Sequence, residues 1–171
     1  MSAAAGARER LAHHDSYADG LIRAILRRVR TIAMVGASAR WNRPSYFAMK
    51  YLQEKGYRVI PVNPREAGGS ILGETAYADL AEIPDPVDMV QVFRRADAMM
   101  PIAEQAVAIG AKVLWMQLGV RNDEAAALAE RAGLRVVMNR CPKIEYGRLS
   151  GEIGWLGVNT RVVSSRRNRR I

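Results

Sequence analysis

Between residues 36 and 45 the chain gathers groups that bind phosphate: Gly36-Ala37-Ser38, then Arg40, Arg43 and Ser45. Backbone N–H groups at a helix amino terminus attract anions, and a glycine lets the main chain approach closely. The hydroxyls of Ser38 and Ser45 add donors, and guanidinium groups grip phosphate through two parallel hydrogen bonds. These residues sit in "TIAMVGASARWNRPSYFAMKYLQEKGYRVIPVNP", residues 31–64, which reads as strand, loop, helix and second strand. A nicotinamide dinucleotide fingerprint asks for three glycines in the loop and an acid at the end of the second strand. Here the loop holds one glycine and runs longer before its helix, and the second strand ends Val62-Asn63-Pro64-Arg65. A missing acid beside an arginine suits a nucleotide that carries phosphate on its ribose, either NADP or coenzyme A.

The elements that must position these groups follow from the hydrophobic pattern. Apolar runs at Thr31–Val35, Tyr57–Val62, Val87–Phe93, Lys112–Leu118 and Leu134–Met138 read as strands. Helices are expected at 45–55, 97–109, 123–132 and 142–150, with Gly56, Gly110 and Gly133 closing the first three. Ahead of them, Leu21, Ile22, Ile25, Leu26 and Val29 recur at helical spacing opposite Arg23, Arg27 and Arg28, a basic amphipathic helix that docks on a sheet. Strands apolar along their length and separated by helices imply an α/β fold, a doubly wound parallel sheet of about five strands. The expected strand order is 3-2-1-4-5, with the ligand crevice at the carboxyl ends of the first and fourth strands. The chain divides into a mobile segment at 1–15, one domain at 16–160 and a basic tail at 161–171.

Composition narrows the class. The 171 residues include 26 basic and 17 acidic side chains, a net charge of +9, and five arginines from Arg161 onward supply much of that excess. The tail reads as a solvated end; it lacks the interleaved aromatics of a single-strand nucleic-acid platform. One cysteine, Cys141, excludes an internal disulfide and fits a reducing compartment. No apolar run reaches the ~20 residues a membrane helix needs. The amino-terminal residues lack a secretory core, so a cytoplasmic protein is expected.

Five stretches, "VGAS", "YLQEKGYRVIPVNP", "ILGETAYADLAEIPDPVDMVQVFRR", "LWMQLGV" and "VVMNRCPKIEYGRL", taken together resemble the small stand-alone coenzyme A-binding proteins. Those are single-domain relatives of the nucleotide-binding domain of the succinyl-CoA synthetase α subunit. The resemblance covers roughly residues 17–150 and implies a Rossmann-type fold that holds coenzyme A, or a short acyl-CoA, by its ADP portion. Carried over by position, it implies that Gly36, Ala37 and Ser38 cradle the pyrophosphate, with Arg43 and Ser45 as side-chain contacts. Asn63 and Pro64 resemble the turn beside the ribose phosphate and adenine, with Arg65 near. Phe93 and Arg94 match the segment flanking adenine, and Gln117 and Gly119 the pantetheine exit. The family's Asp-Arg-Cys reads Asn139-Arg140-Cys141 here, which leaves no carboxylate at that point.

Nothing in the chain assembles into catalytic machinery, so a binding or sensing module is expected, with no catalytic residue and no metal. His13 and His14, adjacent in the polar amino-terminal segment, are expected to point apart and face solvent. Cys141 is either a buried small residue or, flanked by Arg140 and Lys143, a thiol beside that of the bound cofactor. Asp88 and Glu145 read as cap or ion-pair residues. Two other classes stay open: an NADP-dependent oxidoreductase on the same fold, and a nucleic-acid-binding regulator resting only on the basic tail and the first helix.

Overall fold

The computed structural model describes residues 10–151. Five parallel strands, β1 (Thr31–Val35), β2 (Arg58–Val62), β5 (Met89–Val92), β6 (Val113–Met116) and β7 (Arg135–Val137), form one sheet. A separate two-stranded ribbon, β3 (Ser70–Ile71) and β4 (Glu74–Thr75), lies between β2 and β5 in sequence. Helices α1 (Asp19–Arg28), α2 (Pro44–Glu54), α3 (Met99–Ala108), α4 (Asp123–Arg131) and α5 (Pro142–Ser150) complete the Rossmann-like α/β domain. The glycine-rich region after residue 151 and the basic tail lie outside the described residues.

Alternation along the strands sends side chains to two cores. Ala33, Val90, Val92, Leu114 and Met116 pack under α3 and α4. Ile32, Met34, Met89 and Trp115 face α1, α2 and α5. Because both faces are covered, the central strands are apolar along their length, as the pattern predicts. The basic amphipathic helix docks as expected: Ile22, Ile25 and Leu26 of α1 are buried. Arg148 of α5 holds α1 through Asp19 at 2.7 Å and also reaches Glu145 at 2.7 Å. Asp88 caps the start of β1, its Oδ2 accepting the N–H groups of Arg30 and Thr31 at 2.9 and 3.0 Å.

The strand order corrects the expectation of 3-2-1-4-5. The sheet runs β2-β1-β5-β6-β7, so the third large strand returns to the far side of the first. Pro61 supplies the reason. Its carbonyl faces away from β1 and accepts the Tyr77 N–H at 3.0 Å, but its nitrogen has no hydrogen to donate. A proline on that side confines β2 to the edge of a sheet. The chain therefore adds only an isolated bridge between Val62 and Tyr77 there, and β5 pairs with β1 instead. The point where the order reverses, and with it the crevice, lies between β1 and β5.

Residues 10–15, expected in the mobile segment, are held against the amino end of α4. The Leu11 N–H donates to Asp123 Oδ1 at 2.9 Å, and Arg121 binds the Leu11 carbonyl, Asp15 and Asp123. No helix among the described residues is long and apolar enough to cross a membrane.

Candidate functional site

At the switch point the two flanking loops touch main chain to main chain. The Gly36 N–H donates to the Val62 carbonyl and the Phe93 N–H to the Val35 carbonyl, both at 2.8 Å. Gly36 has φ +86°, and a Cβ there would sit 2.9 Å from the Phe93 carbonyl oxygen. Only glycine meets both conditions. Beyond it, the Ser38 hydroxyl accepts the Arg40 N–H at 3.2 Å, and the chain enters α2 with Pro44 in its first turn. Among the described residues no side chain caps α2, so the positive end of its dipole faces the loop.

A cleft of about 810 Å³ opens at the carboxyl ends of β5 and β6, walled by Pro44 and by segments 93–97 and 117–120. Of the residues expected at the site, Phe93, Arg94, Gln117 and Gly119 line it. Gly36 lies directly behind Phe93 and Arg94. Arg43, immediately before Pro44, is exposed, whereas Ser45 is buried beneath the start of α2.

Asn63, Pro64 and Arg65 stand on the other side of the Gly36–Ser38 loop. Asn63 is occupied as a latch: its Nδ2 donates to the Ala37 carbonyl at 2.8 Å, and its Oδ1 accepts the Arg65 N–H at 3.1 Å. Cys141 is buried at the start of α5 and does not line the cleft.

Arg40, Arg43, Arg65 and Arg94 are all exposed around the carboxyl ends of β1, β2 and β5. None has a carboxylate partner among the described residues, where ion pairs go to Arg10, Arg58, Arg95, Arg121 and Arg148. Together they make this end of the sheet electropositive.

Asn139 explains the departure from Asp-Arg-Cys. It adopts φ +54°, a left-handed conformation that asparagine tolerates. Its Oδ1 accepts the Gly119 N–H at 2.7 Å, so the side chain braces the cleft wall and keeps the acceptor an aspartate would offer.

Residues 30–147 match the CoA binding domain family. The chain belongs to that family. This CoA-binding domain is 39% identical over 125 residues to the uncharacterized protein YneT of Bacillus subtilis, covering 73% of this chain and 91% of the relative. A hypothetical protein from Pyrococcus horikoshii is 42% identical, with a TM-score of 0.75 over 82% of this chain and 98% of its own. The α subunit of an ADP-forming acetate–CoA ligase of Pyrococcus furiosus is 34% identical over 89 residues. That alignment takes in 50% of this chain but only 19% of the subunit, so it relates the domain and not the whole ligase.

Three residues near the crevice loops stand outside the sequence-based expectation. Trp41, in the loop before α2, is 73% exposed, and a large aromatic in a polar loop was the available signal. Glu66 reaches across from the loop after β2, its Oε1 accepting the Ala39 N–H at 3.1 Å. Gln91, fully buried in β5, donates through Nε2 to Gln117 Oε1 at 3.2 Å. A carboxamide inside an otherwise apolar central strand was legible as an anomaly, though its partner was not.

Proposed function

We propose that the domain is a non-catalytic module that binds coenzyme A, or a short acyl-CoA, across the β1–β5 switch point. The diphosphate rests against Gly36, Ala37, Ser38 and the start of α2, within reach of Arg43; Ser45 contributes from beneath. The adenosine end and its ribose phosphate turn toward Asn63, Pro64 and Arg65, with Phe93 and Arg94 flanking the base. Pantetheine leaves along Gln117 and Gly119. The observation that carries this reading is the set of four exposed arginines around the carboxyl ends of β1, β2 and β5, without carboxylate partners among the described residues, together with the start of α2, which has no side-chain cap among them. The end of β2 supports it too, because Asn63 offers no carboxylate to a free ribose diol. The single cysteine is buried and free, which suits a reducing, cytoplasmic setting.

A ligand that binds only the folded state raises its melting temperature. Thermal melts with coenzyme A, acetyl-CoA, dephospho-CoA, NAD and NADP test the proposal. Coenzyme A and acetyl-CoA are expected to stabilise the protein, and dephospho-CoA less. Stabilisation by NADP with none by coenzyme A would overturn it in favour of a nicotinamide protein.

A further inference from the structure

The two histidines do not point apart into solvent. They lie in a 3-10 turn (Ala12–His14), with ring centroids 4.1 Å apart, and both converge on Glu130 of α4. His13 Nε2 is 3.1 and 3.2 Å from the two carboxylate oxygens of Glu130. His14 Nε2 is 3.1 Å from Glu130 Oε1. His14 is only 4% exposed, and its Nε2 makes no hydrogen bond among the described residues, because the approach to Glu130 lacks the required geometry. A simple His–Glu pair accounts for exposed His13. It leaves the buried nitrogen of His14 unexplained, since buried polar atoms are normally satisfied.

The geometry points to a divalent transition-metal site, zinc-like in chemistry, with His13 Nε2, His14 Nε2 and the Glu130 carboxylate as ligands. All three ligand atoms fall within 4.8 Å of one another. Tetrahedral zinc with bonds of about 2.0–2.1 Å separates its ligands by roughly 3.3 Å, close to the histidine–carboxylate distances of 3.1 and 3.2 Å found here. Two imidazoles select zinc, copper or nickel over magnesium or calcium.

The far side of His14 is already arranged for the role. Its Nδ1 lies 2.8 Å from the Tyr17 hydroxyl oxygen, which also accepts the Met138 N–H at 2.7 Å. With the Nδ1 proton donated to that oxygen, the Nε2 lone pair is free for a metal, the usual arrangement behind a metal-bound histidine. The nearby guanidinium of Arg121 is neutralised by Asp15 and Asp123 at 2.7 and 2.8 Å. Three protein ligands leave a fourth position for water. The ion would staple the segment before α1 to α4, and none of its three ligands lines the cleft, so the site stands independently of what the crevice binds.

The test is titration of chelator-treated full-length protein with Co²⁺ and Zn²⁺. One ion per chain is expected, with the visible bands of four-coordinate Co²⁺ and a rise in melting temperature with Zn²⁺. His13→Ala and Glu130→Gln, both at partly exposed positions, should each weaken zinc at least tenfold while leaving the far-ultraviolet circular dichroism unchanged. Cys141→Ser should leave zinc affinity unaltered. No saturable binding by millimolar zinc, or binding that His13→Ala and Glu130→Gln do not weaken, would overturn the assignment.

Discussion

Asn63 ties the loop after β2 to the loop after β1, its side-chain amide hydrogen-bonded to the Ala37 carbonyl at 2.8 Å. The residue that stands where a dinucleotide enzyme places an acid thus shapes the Gly36–Ser38 loop directly. Asn63→Asp exchanges the donor for a carboxylate facing a carbonyl and adds negative charge beside the proposed diphosphate position. Its expected effects are a loss of about 1 kcal/mol in stability and at least tenfold weaker coenzyme A binding. Urea melts and calorimetry read the two separately, and unchanged affinity would remove Asn63 from the site.

Gly36 and Gly56 form a matched pair for testing the contact between the β1 and β5 loops. Both have positive φ, +86° and +93°, but only at Gly36 would a Cβ meet a neighbour; at Gly56 nothing lies within 4 Å. Gly56→Ala is expected to cost ~1–2 kcal/mol from backbone conformation alone. Gly36→Ala adds the clash with Phe93 and should lower the urea midpoint clearly further. Equal losses would show that the loops relax apart freely.

Arg43 is exposed and has no carboxylate partner among the described residues, so its removal should leave the fold intact. Arg43→Ala is expected to weaken coenzyme A by about tenfold, the scale of one charge-assisted contact of ~1.5–3 kcal/mol. The melting temperature of the ligand-free protein should not move. The same dissociation constant in both proteins would exclude Arg43 as a phosphate contact.

The Asp19–Arg148 bridge gives the docking of α1 a pH dependence. The Arg148 hydrogen bond holds the Asp19 carboxyl below its ordinary value of 3.8. A carboxylate lowered in the folded state stabilises above the unfolded value and loses that contribution as pH falls through the folded one. Amide exchange in α1 should therefore accelerate relative to the sheet as pH drops below about 4. Asp19→Asn should show the faster exchange already at neutral pH. A wild-type profile identical to that of the variant would mean the bridge does not hold α1.

The five large strands, the helices between them and the family motifs were legible because each is local: a run of apolar residues, a glycine after a helix, a loop of set composition. Strand order was not read correctly, although Pro61 carried the clue, because a missing N–H matters only once its side of the strand is known. Phe93, Arg94, Gln117 and Gly119, which the motifs associate with a ligand, line one cleft because the ends of β5 and β6 lie side by side in the sheet. His13 and His14 were misplaced because their direction depends on a turn docked against Glu130, more than a hundred residues away in sequence.

Residue order by itself determined the α/β class, the crevice-bearing loops and the excess of positive charge, since periodicity, turn chemistry and ionisation act over a few neighbours. Only the tertiary structure decided which strands adjoin, that Asn63 is spent on Ala37, and that two histidines and a glutamate meet. Those outcomes depend on close packing between distant segments, where a single missing hydrogen or a turn of the backbone redirects a side chain.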